Sequence, residues 1–199
     1  LKLLSANIST VISVMERCCI NLSGQSLSDE RFMTFLVDCI HDAGVPPHLL
    51  CFEITETAVI ANLNNASNLI TKLRKMGCRF ALDDFGVGLS SFGYLRNLSV
   101  DYLKLDGSFV KNMVNNKTDY EMVRAINQIG HTMNIATIAE FVEDAATLQT
   151  VRDLGVDYAQ GYVIAKPLPI EIALFSDSAA APVDAAVADL SAGTGSPGS

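Results

Sequence analysis

The sequence has no tryptophan, only three histidines and few basic side chains: 14 Lys and Arg stand against 22 Asp and Glu, for a formal net charge of −8. Nothing in that balance neutralises phosphates in bulk, so a DNA or RNA polymer is not an expected partner. An anionic ligand would need local help from a metal, a lysine or backbone amides. His41, His48 and His131 form no H-E-x-x-H and no zinc spacing. There is no C-x-x-C either. Cys18, Cys19, Cys39, Cys51 and Cys78 are odd in number and sit among apolar neighbours, which reads as reduced core thiols of a cytoplasmic protein. No uncharged run reaches the roughly 18 residues of a membrane span. The longest, between Glu56 and Lys72, carries four asparagines. Leu3–Met15 is apolar but lacks the basic cluster and A-x-A site of a signal peptide. No G-x-G-x-x-G follows the first strand, and no G-x-x-x-x-G-K-[ST] occurs, so the phosphate loops of the open-sheet nucleotide binders are missing.

What is present is a core-forming chain with 49% apolar residues. Leu4, Ile8, Val11, Ile12 and Met15 recur at helical spacing. Cys18–Leu22 reads as a strand. Phe32, Phe35, Leu36, Cys39, Ile40 and Ala43 mark a helix stopped by Gly44 and Pro46. Strands are expected at Leu49–Ile54, Arg79–Leu82, Val100–Leu105, Ile135–Ala139 and Val156–Ala159. Helices are expected over Leu63–Met76, Thr118–Met133 and Asp144–Leu154, the second opened by a Thr118/Glu121 capping box. Alternating strands and helices imply a parallel α/β sheet. Six such strands fit either an open doubly wound sheet or most of a (β/α)8 barrel. After about Ser176 the composition turns to Ala, Ser, Gly, Pro and Asp. The expected organisation is therefore a folded region over 1–176 and a flexible tail over 177–199.

The informative pattern is what ends each strand. Asn21 ends the first, Glu53 lies in the second, and Asp83 and Asp84 end the third. Lys104 and Asp106 end the fourth, Glu140 the fifth and Gln160 the sixth. The spacings from 21 to 53, from 53 to 83 and from 106 to 140 are close to the roughly thirty-residue interval of one barrel unit, and in an α/β barrel such ends converge on the catalytic face. Each has a bland alternative: Asn21 as a turn former, Glu53 and Glu56 in E-I-T-E as a solvated turn, Asp83–Gly86 as an ordinary loop. Lys104 between Leu103 and Leu105 is harder to dismiss, because a lysine within an apolar strand needs a partner. A cluster of carboxylates repels itself unless cations offset the charge. Oxygen donors without His or Cys point to Mg²⁺ or Mn²⁺, and a pair of such ions suits phosphodiester hydrolysis.

The motifs at these positions are Asn21-Leu-Ser-Gly-Gln-Ser-Leu, Phe52-Glu-Ile-Thr-Glu-Thr, Ala81-Leu-Asp-Asp-Phe-Gly-Val-Gly-Leu-Ser-Ser, Tyr102-Leu-Lys-Leu-Asp, Ile138-Ala-Glu-Phe-Val-Glu and Gln160-Gly-Tyr. In this order they resemble the EAL-domain family, the bacterial cyclic di-GMP phosphodiesterases, from about Asn21 to Pro169. The resemblance implies a (β/α)8 TIM-type barrel, two Mg²⁺ or Mn²⁺ ions and the linear product pGpG. It implies metal ligation by Asn21, Glu53 and Asp83, with Asp84 on the second ion. It implies that Lys104 and Glu140 assist the attacking water, with Glu140 also near metal, and that Gln160 lies near substrate. Glu56 matches the glutamate that anchors the loop after Asp83-Asp84, a loop tied in the family to metal binding and dimerisation. Glu143 matches the second glutamate of its motif.

The chain departs from that pattern in one large respect. The namesake Glu-Ala-Leu strand, with its own metal-ligand glutamate, is not in these 199 residues. The barrel is expected to be N-terminally incomplete, with about six of eight strands, and the missing part is on the order of 60 residues at about 30 per unit. The expectation is thus a C-terminal part of a longer protein, with a diguanylate-cyclase-like or sensory domain upstream. Any membrane anchor would lie there too. The fragment alone is expected to be weak or inactive. The competing reading is a non-catalytic module that binds cyclic di-GMP or a protein. Val87 and Phe141 replace residues that are commonly a small hydroxyl and a glycine in the family.

Overall fold

The computed structural model describes residues 1–87, 93–175 and 188–190. The chain divides into two compact units, Leu1–Asp101 with Leu168–Asp184, and Tyr102–Pro167 with Ala185–Ser199.

The first unit opens with helices α1 (Lys2–Ala6) and α2 (Ile8–Val14), separated at Asn7, where φ is −124° and ψ 28°. Strand β1 (Cys18–Leu22) follows, then α3 (Gly24–Leu27) and α4 (Glu30–Ala43). Gly44 closes α4 with φ 63°, a left-handed cap that costs glycine little. Next come β2 (Leu50–Thr55), α5 (Glu56–Ala61), α6 (Leu63–Lys75) and β3 (Arg79–Phe85). Strands β1, β2 and β3 pair in parallel, with Asn21 beside Glu53 and Thr55 beside Asp83. Since side chains alternate along a strand, the register sorts them into two faces. One carries Leu22, Phe52, Ile54, Phe80 and Leu82, all buried. The Phe52 and Phe80 rings stand 5.6 Å apart on it. The buried stripe of α6, Ala66, Leu69, Ile70 and Leu73, supplies its helical cover. The other face carries Cys19, Asn21, Cys51, Glu53, Ala81 and Asp83.

The second unit contains β4 (Tyr102–Leu105), α7 (Gly107–Val110), α8 (Lys117–Thr132), β5 (Ala136–Ala139), α9 (Ala145–Asp153) and β6 (Tyr158–Ala159). These strands are also parallel, with Lys104 beside Ile138 and Ile138 beside Tyr158. Leu103 and Leu105 are fully buried. Gly130 lets α8 approach the strands closely, because a Cβ there would stand 2.7 Å from Thr137 Cγ2. A buried polar knot ties this unit together. Thr137 donates its backbone N–H to Asp157 Oδ2 at 2.7 Å, and Asn127 Nδ2 donates to the Leu154 carbonyl at 2.9 Å. Late in the chain, α10 (Ile170–Phe175) belongs to the first unit. The two-residue strand β7 (Ala188–Asp189) pairs antiparallel with β6. The tail expected over 177–199 otherwise lies outside the described residues.

Parallel strands alternating with helices are the expected α/β class. Several local expectations need correction. Asn116, not Thr118, caps α8: its side chain accepts from the N–H groups of Thr118 and Asp119, while Glu121 pairs with Arg124. For Glu56 the alternative of a solvated turn falls away: it begins a helix, α5, and is 2% exposed. All five cysteines are free, but only Cys51 and Cys78 are buried, and Cys19 is exposed. Burial pushes the Cys78 thiol up to about 11, and a hydrogen bond with Cys51 raises Cys19 as well. Neither is a thiolate nucleophile at neutral pH. Val100 and Asp101 precede β4 rather than belonging to it. The Asp101 carboxylate accepts from Arg79 Nη1 at 2.7 Å, Arg74 Nη2 at 3.0 Å and the Phe80 N–H at 3.0 Å.

Two expected results follow from this frame. Asp101→Asn should lower the urea midpoint by the equivalent of about 1–2 kcal/mol. That is the range for hydrogen bonds to a charged group, discounted because both arginines are partly exposed. An unchanged midpoint would remove Asp101 from the structural account. At the start of α9, Asp144 accepts from the Thr147 N–H and hydroxyl, which hold its carboxyl below the usual 3.8. A depressed native pKa stabilises above the unfolded value and is lost as pH falls through the native one. Asp144→Ala should therefore be less stable than wild type at pH 7, and the gap should close below pH 4. A gap independent of pH would contradict this.

Candidate active site

On the second face of the first unit the register builds successive rows. Cys19 and Cys51 form one, Asn21, Glu53 and Ala81 the next, and Thr55 and Asp83 the row nearest the carboxyl ends. The small Ala81 leaves room beside Glu53, which is 7% exposed. Asn21, Glu53 and Asp83 thus share one face within two rows, all offering oxygen donors. Asp84 follows with φ 52°, a left-handed backbone in which Asp is tolerated better than most residues. Its N–H donates to Asp83 Oδ1 at 3.1 Å. This left-handed residue interrupts the strand alternation directly after Asp83. This donor set fits a hard divalent cation and not a thiolate or imidazole metal.

Glu56 stands at the first turn of α5, placed there by the Thr55 cap, whose hydroxyl accepts from the Ala58 N–H. Its Oε2 accepts from the Gly86 N–H at 3.2 Å, and its Oε1 accepts from the Tyr94 hydroxyl. One buried carboxylate therefore clips both ends of the segment that follows Asp83-Asp84. Val87 is exposed, and residues 88–92 lie outside the described ones. Nothing in the sequence pattern marked Tyr94 as the partner.

The second unit carries Lys104, Glu140 and Gln160. Lys104 is 4% exposed within β4, and Glu140 is 8% exposed just past β5. Because Lys104 pairs with Ile138, Glu140 is its diagonal neighbour one row further on. Lys104 Nζ meets Glu140 Oε1 at 2.9 Å. The lysine in an apolar strand thus has its charge partner. Gln160 is held at the next strand end, its N–H donating to the Ala139 carbonyl at 2.8 Å and its carbonyl accepting from Val142. The adjacent Gly161 is required by contact, since a Cβ would stand 2.2 Å from the Val142 oxygen. Asp106 is diverted from the site: it caps α7 by accepting from the Ser108 N–H at 2.8 Å. Glu143 is exposed and pairs with Lys111 at 3.7 Å.

Apolar parallel strands ending in oxygen donors, with a buried lysine–glutamate pair, define an α/β domain with polar side chains gathered at its strand ends. The chain belongs to the EAL-domain family, whose pattern it matches over residues 4–167. It is 45% identical over 76% of its length to the cyclic di-GMP phosphodiesterase PdeB of Shewanella oneidensis. It is 37% identical over 77% to the cyclic di-GMP phosphodiesterase PdeF of Escherichia coli. It spans 18% and 21% of those proteins, about a fifth of their length. Among solved structures it resembles the FimX EAL domain from Pseudomonas aeruginosa bound to c-di-GMP. The TM-score is 0.75 and the identity 30%, covering 82% of this chain and 67% of that one. The fold is therefore the α/β fold of the EAL domains. No helix among the described residues is long and apolar enough to cross a membrane.

Proposed function

We propose that this domain hydrolyses cyclic di-GMP to linear pGpG in a longer protein. The buried Lys104–Glu140 pair at successive strand ends carries the reading. A charge pair of that kind is costly to bury for stability alone and is suited to handling a proton beside an anion. The relatives named as phosphodiesterases support the substrate. Asn21, Glu53, Asp83, Asp84 and Glu140 would hold Mg²⁺ or Mn²⁺, two ions in all. Those ions, when bound, supply Lewis-acid charge to the phosphodiester. Glu140 takes the proton of the attacking water, and Lys104 holds Glu140 in place and faces the phosphate charge. The P–O3′ bond breaks and the 3′ oxygen takes up a proton. Gln160 contacts the substrate, and Glu56 fixes the segment that follows Asp83-Asp84. Dimerisation through that segment and an upstream diguanylate-cyclase-like or sensory domain belong to the same reading, as does a cytoplasmic location, supported by five free cysteines.

The test is conversion of cyclic di-GMP by the full-length protein in Mn²⁺, followed by chromatography and paired with calorimetric titration. Accumulation of pGpG supports the proposal. Binding without conversion would make the domain a nucleotide receptor, and absence of both would remove the nucleotide.

A further inference from the structure

Three described non-glycine residues have positive φ: Asp84, Asn134 and Phe141. Asn134 follows the end of α8, a position where such a backbone is routine. Asp84 is an aspartate near the end of β3, a residue type that tolerates this backbone. Phe141 has no such excuse. It is bulky, its φ is 51°, and it is 50% exposed. A large apolar side chain held out in a strained backbone needs a reason beyond packing.

Its surroundings hold the ring in place. Gly107 and Lys111 are four residues apart, so they lie on one side of the helical turn of α7. The Phe141 ring rests on that side. A Cβ on Gly107 would stand 2.1 Å from ring atom Cδ2. Lys111 Nζ lies 4.4 Å from the ring centroid, and it is itself steadied by Glu143 at 3.7 Å. The glycine and the cation hold the ring, and the residue remains half exposed. The residue before it is Glu140, which is buried against Lys104.

We propose that Phe141 is a stacking platform for a purine base of the bound cyclic dinucleotide, and so a determinant of affinity rather than of the chemical step. This rests on the phosphodiesterase reading for its ligand. Any base presents a π-face, and an aromatic ring fixed in advance loses little freedom on stacking. The left-handed backbone departs from extended geometry directly after Glu140, so the ring packs on Gly107 of α7 while the carboxylate pairs with Lys104.

The test uses the full-length protein and the variants Phe141→Gly, Phe141→Ala and Phe141→Tyr. Glycine suits the left-handed backbone, so a defect in that variant does not come from strain. Both truncations should raise KM for cyclic di-GMP by about tenfold, about 1.4 kcal/mol, as loss of one base–aromatic stack would. They should leave kcat within about threefold, and Phe141→Tyr should restore wild-type KM. Unchanged KM in both truncations would overturn the platform, as would a fall in kcat alone. If the wild type shows no turnover, the phosphodiesterase reading fails separately, and the platform is read from equilibrium binding of cyclic di-GMP. A tenfold weaker Kd in the truncations then supports it. Equal affinity, or no binding by the wild type, overturns it.

Discussion

Lys104→Met in the full-length protein should reduce kcat for cyclic di-GMP by a factor on the order of 10²–10⁴, the range for loss of a positioned acid–base group. It should also destabilise the fold by about 3–5 kcal/mol, because it leaves Glu140 buried without its cation. The two effects can be separated. In the double variant Lys104→Met with Glu140→Gln neither position carries a charge, so most of the lost stability should return. Activity should not return, since both groups proposed to handle the proton and the phosphate charge are gone. Denaturant midpoints and kcat measured on the four proteins of this cycle check both statements. If activity followed stability back up, the pair would be a structural feature only.

Glu56→Ala carries the second large effect. The substitution leaves the Gly86 N–H and the Tyr94 hydroxyl without their common acceptor, at a cost of about 1–3 kcal/mol for each group that stays buried. Gly86 lies two residues beyond Asp84, so slack there reaches the donors on β3. Groups that orient metal ligands usually contribute 10–100-fold to affinity. The half-saturating Mn²⁺ concentration should therefore rise by about that factor, with kcat at saturating Mn²⁺ recovering to within about tenfold of wild type. Glu56→Gln, which keeps one acceptor oxygen, should fall between. The same Mn²⁺ requirement in all three proteins would sever the link between the clip and the metal donors.

Much of this arrangement was legible in the sequence, and for a physical reason. Short apolar strands that each end in a polar residue announce themselves by a change of residue type, which is how Asn21, Glu53, Asp83, Lys104 and Glu140 came into view together. Register then converts the spacing into geometry: Asn21 beside Glu53, and Glu140 diagonal to Lys104. Long-range hydrogen bonds leave no such trace. Tyr94 is separated from Glu56 by 38 positions, and no periodicity joins them. Asp101 looked like part of an apolar strand, yet it serves two arginines and a backbone N–H. The α8 cap fell to Asn116 because its side chain reaches two N–H groups, where spacing alone had favoured Thr118. Phe141 is the clearest case. A phenylalanine after Ala-Glu gives no hint of a left-handed backbone or of a lysine poised over its ring.

The most direct test of the central claim is hydrolysis of cyclic di-GMP in ¹⁸O-labelled water by the full-length protein with Mn²⁺. The Glu53→Gln variant and a chelated sample are run beside it, and the product is analysed by mass. The expected product is pGpG carrying one ¹⁸O in its terminal phosphate, abolished by chelation and reduced at least a hundredfold by Glu53→Gln. Product that forms equally well without metal, or in Glu53→Gln, would contradict the assignment of the strand-end donors, and no product from the wild type would contradict the phosphodiesterase itself.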